Sequence, residues 1–234
     1  MPTTIIGISD SHYRDKTPRA RKDDFFQTQL DKLDFVIDLS EKLNAKAIVF
    51  AGDVFDVPDG TKINRRLDNE LAQRLRSVKA KILAIPGNHD LLRDRLDSLK
   101  YHPLGVLNSS GILQLLKNGE GYSILDGDVP VRVIGIQYTG EGPKFWLDKF
   151  IRTKELYEWK KITEQKMGKK AHILTLTHNH WGPADTTIAG EPVIAHHRIR
   201  NTGIDVLLYG HPHSDDGVTE VINPEPHHID EGPW

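Results

Sequence analysis

The stretch Ile85-Pro86-Gly87-Asn88-His89-Asp90 follows a short apolar run, Lys81-Ile82-Leu83-Ala84-Ile85. The run reads as a buried strand, and Pro86 with Gly87 ends it in a tight turn. An amide, an imidazole and a carboxylate therefore leave the C-terminal end of the strand side by side. In an open α/β sheet that edge is where ligands bind. Alone, a Gly-Asn-His-Asp tetrapeptide is a weak signal. Four other stretches of the chain supply partners of the same chemistry.

Working outward, Ala47-Ile48-Val49-Phe50-Ala51 is a second apolar run, ending in Gly52-Asp53-Val54-Phe55-Asp56. Thr4-Ile5-Ile6-Gly7-Ile8-Ser9 is a third, running into Asp10-Ser11-His12. Asp10 and His12 are two apart, so in extended chain they project to the same side. Residues 13–22 are polar and basic and read as a surface loop. Across residues 24–43, Phe26, Leu30, Leu33 and Ile37 recur at helical spacing, with Asp23 or Asp24 available as cap. A second helix carries Leu67, Leu71, Leu75 and Val78 on one face. The order strand–helix–strand–helix–strand predicts a parallel sheet with helices packed on it.

Beyond Asp90, residues 91–108 give a mixed pattern. Three apolar stretches follow, at 111–116, 122–125 and 131–136, separated by Asn118-Gly119 and Asp126-Gly127. Those are hairpin turn signals, so the chain is expected to switch to antiparallel pairing here. Residues 144–167 are charged, with Trp146, Phe150, Leu156, Trp159 and Ile162 spread along them, and read as a surface helix broken near Arg152. Residues 171–177 form another buried strand, ending at His178-Asn179-His180. Residues 181–203 read as irregular. Residues 205–209 give the next strand, ending at Gly210-His211-Pro212-His213, and 217–222 a last one. With no internal repeat and no linker, one domain over residues 1–222 and a Pro-rich tail over 223–234 is the simplest organisation.

Composition narrows the function. Lys and Arg number 31 against 33 Asp and Glu in 234 residues, so no global basic field attracts nucleic acid. There is no cysteine, which removes disulfides, thiolate-bound zinc and thiol catalysis. No apolar run approaches a membrane span. A cleaved leader is not expected, because site candidates already stand at Asp10. The expected location is the cytoplasm.

The five strand-like runs each end in a metal-competent residue: Asp10 and His12, Asp53, Asn88 and His89, His178, then His211 and His213. Singly, each has an ordinary structural role open to it, such as a cap for Asp10 or Asp53. The recurrence at strand ends of one sheet is what carries the reading. Carboxylate, imidazole and amide oxygen together suit manganese, iron(II), zinc or nickel, and suit calcium poorly. Seven ligands fit two ions if one carboxylate bridges them. His180 is an alternative to His178, which comes first off the strand. His196, His197, Arg198 and Arg200 either bind substrate phosphate or form a solvated loop. Trp146 and Trp159 either stack on bases or belong to the core. His227 and His228 read as tail residues.

The ordered set Asp10-Ser11-His12, Gly52-Asp53-Val54-Phe55-Asp56, Gly87-Asn88-His89-Asp90, His178 and Gly210-His211-Pro212-His213 resembles the calcineurin-like metallophosphoesterase family. All five blocks of that family stand in its order and span nearly the whole chain. The resemblance implies an α/β fold, a two-layered mixed β-sheet sandwich flanked by helices, with a binuclear metal site at the strand ends. It implies one metal on Asp10, His12, Asp53 and His213, and a second on Asp53, Asn88, His178 and His211. It further implies a hydrolase in which metal-activated water attacks phosphorus while His89 assists the leaving oxygen. Asp56 stands where the family places a carboxylate that orients this histidine, and Asp90 competes for that task.

In style the second and third blocks look most like the nuclease subunit of SbcCD-type DNA-repair complexes, implying phosphodiester cleavage with manganese. Those nucleases usually add a DNA-capping domain, whereas this sequence stops soon after His213 and is slightly acidic. A nucleotide or short single strand therefore stands beside DNA as the expected substrate. A phosphomonoesterase, and a catalytically silent scaffold on the same fold, are the alternatives.

Overall fold

Alternation along β2 (Ala47–Ala51) defines the layers of the molecule. Ile48 and Phe50 turn to one side, into a cluster with Leu30, Leu33, Leu67, Leu71 and Leu104. Ala47, Val49 and Ala51 turn to the other, against Val133, Leu174, Leu176 and Leu208. A strand buried on both faces cannot show a polar–apolar alternation, which is why the run is continuously apolar. The computed structural model describes residues 2–138, 149, 151–182, 184–188 and 191–211.

The first sheet has the order β1-β2-β3-β4, with β1 at Ile5–Ile8, β3 at Lys81–Ile85 and β4 at Gln114–Leu115. All its pairings are parallel. Its outer face is covered by α1 (Phe25–Lys42), α2 (Arg65–Ser77) and α3 (Pro103–Ser109). Asp24 caps α1 by accepting from Gln27 N at 3.1 Å, and Asn64 caps α2 through Arg66 N at 2.9 Å. Each such cap contributes about 1 kcal/mol.

The second sheet has the order β11-β7-β6-β5. Its strands are β5 (Glu120–Ile124), β6 (Val131–Ile136), β7 (His172–His178) and β11 (Val206–Gly210). Only β5 and β6 pair antiparallel. Helix α4 (Thr153–Met167) lies on its outer face, with Leu156 buried against Ile173 and Leu207 and Trp159 packed beside them. The fold is thus a two-sheet α/β sandwich flanked by helices, as the resemblance implies.

Two local expectations need correction. The stretch 111–116 yields β4, which joins β3 in parallel, so the switch to antiparallel pairing comes only at β5–β6. Residues 181–203 are largely ordered: β8 (His180–Gly182), β9 (Thr186–Ile188) and β10 (Glu191–Ala195) form a small sheet of order β8-β10-β9. β8 and β9 have three residues each, too few for periodicity to register, and in β10 the proline at 192 argues against a strand. Of the two readings of Trp159, the structure shows the core one: it packs with the second-sheet cluster. Trp146, Phe150, the 217–222 strand and the tail lie outside the described residues, and no helix among the described residues is long and apolar enough to cross a membrane.

Candidate metal centre

Parallel order brings the C-terminal ends of β1, β2 and β3 to one edge of the first sheet, and those of β7 and β11 to one edge of the second. The loops after β1 and β2 are zipped together: Asp10 N donates to Gly52 O at 3.3 Å, His12 N to Asp53 O at 2.9 Å, and Tyr13 N to Val54 O at 2.9 Å. Gln29 of α1 grips the same loop, accepting from Arg14 N at 3.1 Å and donating to Arg14 O at 2.8 Å. His178 shares the parity of Leu174 and Leu176, the residues of β7 that face the first sheet. Its ring accordingly reaches across, and Nδ1 lies 2.8 Å from Ala51 O.

The backbone at this edge is held in an unusual state. Asp10, His12, Asp53 and His211 all have positive φ, at 51°, 44°, 47° and 90°. Such conformations cost roughly 1–3 kcal/mol each outside glycine and collect at functional sites. Gly52, at φ 90°, also has no room for a side chain: a Cβ there would stand 2.2 Å from His178 Nδ1. At Gly87 a Cβ would stand 2.2 Å from Asp53 Oδ1. These glycines let ligands from different strands close on one point.

That point is Asp53, a fully buried carboxylate. Its Oδ1 accepts His89 N at 2.8 Å. Its Oδ2 lies 3.2 Å from His178 Nε2 and 3.5 Å from His12 Nε2. Asn88 Oδ1 lies 3.1 Å from His178 Nε2 and 3.0 Å from His211 Nδ1. Asp10 Oδ1 lies 4.0 Å from His12 Nε2 and accepts His211 N at 2.9 Å.

The protons of this cluster point outward. The Ala51 carbonyl can only accept, so His178 carries a hydrogen on Nδ1 and, when neutral, presents a lone pair at Nε2. His211 Nε2 faces the Glu191 carboxylate at 2.6 Å, leaving the Nδ1 lone pair directed inward. Asp53 Oδ2, Asn88 Oδ1, His178 Nε2 and His211 Nδ1 are then acceptors facing one another. With both rings neutral these four acceptors cannot satisfy one another, and positive charge, either a proton on His178 or a bound cation, is needed between them. The donor set fits divalent ions on its own chemistry.

The titration shifts agree on the need for positive charge. Burial opposes protonation of His178, but Asp53 outweighs it and the pKa is raised. Burial likewise opposes ionisation of Asp53, yet His178 and the His89 N–H hold its pKa low. His12 and His211 are shifted down, chiefly by burial, His211 to about 4. Asp90 is pushed up to about 7 by burial and by the charge of Asp53.

The sequence-derived residues are placed as follows. Asp10, His12 and Asp53 form one potential cation group, and Asp53, His178 and His211 another, sharing Asp53. Asn88 joins the second. His213 lies outside the described residues. His180 sits behind His211, with ring centroids 4.2 Å apart, and not at Asp53.

Asp56 meets His89 through its backbone, and its carboxylate stands with His12 and His89 in a further potential cation group. His89 Nδ1 lies 2.8 Å from the backbone carbonyl of Asp56, not from its side chain. The Asp56 carboxylate accepts from Arg14 Nη1 at 2.8 Å and stands 3.4 Å from His12 Nδ1. Asp90 is buried and accepts from the N–H groups of Gly87, Val54 and Phe55 at 3.0, 3.1 and 2.9 Å, tying the second block to the third.

Four contributors escaped the sequence reading: Arg14, Gln29, Tyr138 and Glu191. Tyr138 stands just past the end of β6, and its ring centroid is 5.4 Å from that of His211. The strand-end rule applied to β6 would have pointed to it.

The profile of the family described as "Calcineurin-like phosphoesterase" matches residues 3–215. The chain belongs to this family. Its members bind two metal ions, and the convergence on Asp53 is where this calcineurin-like phosphoesterase has the groups to do so. Among solved structures it is similar to the protein TT1561 of Thermus thermophilus, at 15% identity and TM-score 0.50, covering 89% of this chain and 81% of that one. It is also similar to a dimetal phosphatase from Danio rerio, at 14% identity and TM-score 0.42, covering 79% and 72%. At that identity the first likeness speaks for the fold alone. No curated protein sequence matches this phosphoesterase.

Proposed function

We propose that this phosphoesterase hydrolyses a phosphodiester, in nucleic acid or in a nucleotide, with two divalent ions. The observation that carries the reading is the set of inward-facing acceptors around the buried carboxylate of Asp53. Asp10, His12, Asp53 and His213 would hold one ion, and Asp53, Asn88, His178 and His211 the other. Bound there, the ions supply Lewis acidity and water of lowered pKa for an in-line displacement at phosphorus. Manganese is the first choice for a mixed carboxylate, amide and imidazole set, with nickel, iron(II) and zinc also suited.

His89 has a separate task in this reading. Its Nδ1 is committed to the Asp56 carbonyl, which fixes the ring and leaves Nε2 for the substrate. From there it would hydrogen-bond or protonate the leaving oxygen. Preference for a diester rests on the likeness of the Gly52–Asp56 and Ile85–Asp90 blocks to SbcCD-type nucleases. The expected compartment is the cytoplasm, where a chain without cysteine is indifferent to reducing conditions.

The test is hydrolysis of a matched chromogenic phosphodiester and phosphomonoester by metal-stripped protein with single metals added back. Diester cleavage restored by manganese or nickel supports the proposal. Cleavage of the monoester alone would replace it with a phosphatase. Metal binding without turnover of either would favour a scaffold.

A further inference from the structure

Each inward-facing imidazole of the centre has an acceptor behind its outer nitrogen. For His178 it is the Ala51 carbonyl, and for His12 it is the Asp56 carboxylate. For His211 it is Glu191, whose Oε2 lies 2.6 Å from Nε2. Glu191 opens β10, and β10 pairs in parallel with β8, the strand that starts two residues after His178. The carboxylate is also bonded by the Tyr138 hydroxyl, whose pKa rises chiefly through burial and then through the charge of Glu191. His180 Nε2 stands 3.8 Å away.

We propose that Glu191 is a positioning residue of the metal centre, fixing His211 in the tautomer that carries its hydrogen on Nε2 and presents Nδ1 to the ion. The statement rests on the two-ion reading of the site given above. A neutral imidazole has one N–H, and a carboxylate at 2.6 Å can only accept it. With the hydrogen drawn outward, the lone pair on Nδ1 is the one that meets Asn88 Oδ1 at 3.0 Å. Without Glu191 the two tautomers compete, and the ring loses the anchor that sets its plane. Carboxylate partners of ligating histidines have this effect, and their loss typically lowers metal affinity about 10–100-fold. The β8-β10-β9 sheet thereby gains a reason to exist beside β7 and β11: it carries the group that aims His211. Tyr138, reaching in from the end of β6, holds that group from the other side.

The experiment reads the His211 tautomer by long-range nitrogen–proton correlation NMR in metal-free protein, then manganese affinity by titration calorimetry, in wild type, Glu191→Gln and Glu191→Ala. Thermal melts confirm that each variant is folded. Expected is the Nε2–H form in wild type, its retention in Glu191→Gln, whose amide oxygen still accepts, and mixed tautomers in Glu191→Ala. The last variant should bind the manganese ion held by His211 about 10–100-fold less tightly. A wild-type His211 in the Nδ1–H form, or a Glu191→Ala protein with unchanged tautomer and affinity, would overturn the proposal. So would a third ion per chain lost in Glu191→Ala, which would make Glu191 with His180 a ligand. Because the tautomer is read without metal, a wild type that holds the Nε2–H form yet binds no manganese overturns the two-ion reading and leaves the role of Glu191 in orienting His211 supported.

Discussion

Asp53 and His178 meet at 3.2 Å, carboxylate Oδ2 to imidazole Nε2, with neither side chain exposed to solvent. They come from different sheets, and each is held on its far side by the backbone: Asp53 by His89 N, His178 by Ala51 O. A buried anion beside a buried imidazole is costly unless a proton or a cation stands between them. The strain at Asp10, His12, Asp53 and His211 is consistent with that cation supplying the compensation.

Division of labour within the third block gives the first prediction. His89→Ala should lower turnover by about 10²–10⁴, the usual worth of a positioned general acid, with metal content unchanged. Asn88→Ala should do the reverse, weakening the second ion while excess metal restores much of the rate. Steady-state kinetics paired with elemental analysis separates them. Equal metal loss in both variants would contradict the assignment.

Asp56 provides a sharper contrast. Because His89 is held by the Asp56 carbonyl, Asp56→Asn leaves that bond in place. Its effect should fall instead on His12, as a loss in metal affinity of roughly 10-fold or more, with turnover at saturating metal close to wild type. A turnover defect as deep as that of His89→Ala, persisting at saturating metal, would show that the carboxylate itself serves His89.

Gly52→Ala should destabilise the fold as well as the site. The φ of 90° alone costs roughly 1–3 kcal/mol for a residue with a Cβ, and the clash with His178 Nδ1 adds to it. Urea denaturation of metal-free protein should show a lower midpoint with little change in slope. A midpoint equal to wild type would mean that the loop relaxes freely.

His102 makes stability depend on pH away from the metal centre. It is almost fully buried, its Nε2 lies 3.1 Å from Val57 O, and its Nδ1 accepts Leu104 N at 3.3 Å to cap α3. Only the neutral ring can make both bonds, and burial holds the pKa down to about 4 from 6.5. A depressed folded pKa means the unfolded chain binds more protons between those values. Stability should therefore be intact above about pH 6.5 and fall on acidification through about pH 4, by about 3 kcal/mol in total. Denaturation series in chelator should show this, and His102→Asn, which keeps a capping oxygen, should flatten that part of the profile. An unchanged slope in the variant would assign the pH dependence to other groups.

Legibility followed burial and length. The runs at Ala47–Ala51 and Lys81–Ile85 were readable because strands buried on both faces are continuously apolar. Helix α1 was readable because Leu30 and Leu33 recur on one face. The site is readable because parallel order collects strand ends at one edge of each sheet, Asp10 beside Asp53 in the first and His178 beside His211 in the second, while the meeting of the two edges is what the resemblance implies. What stayed hidden depended on short, proline-interrupted or non-local features. β10 is as long as β2 and β3, but it opens on Glu191-Pro192, and a proline in a run argues against a strand, so Glu191 reads as loop. Which atom of Asp56 meets His89 is a matter of backbone path, which composition does not encode.

In the proposed centre Asp53 belongs to both ions. Wild-type protein and Asp53→Ala, stripped by chelation and titrated with manganese under calorimetry, address it directly. Two ions per chain in wild type, and strong loss of both in the variant despite intact Asp10, Asn88, His178 and His211, is the predicted result. Loss of only one ion, with the other bound at wild-type affinity, would contradict it.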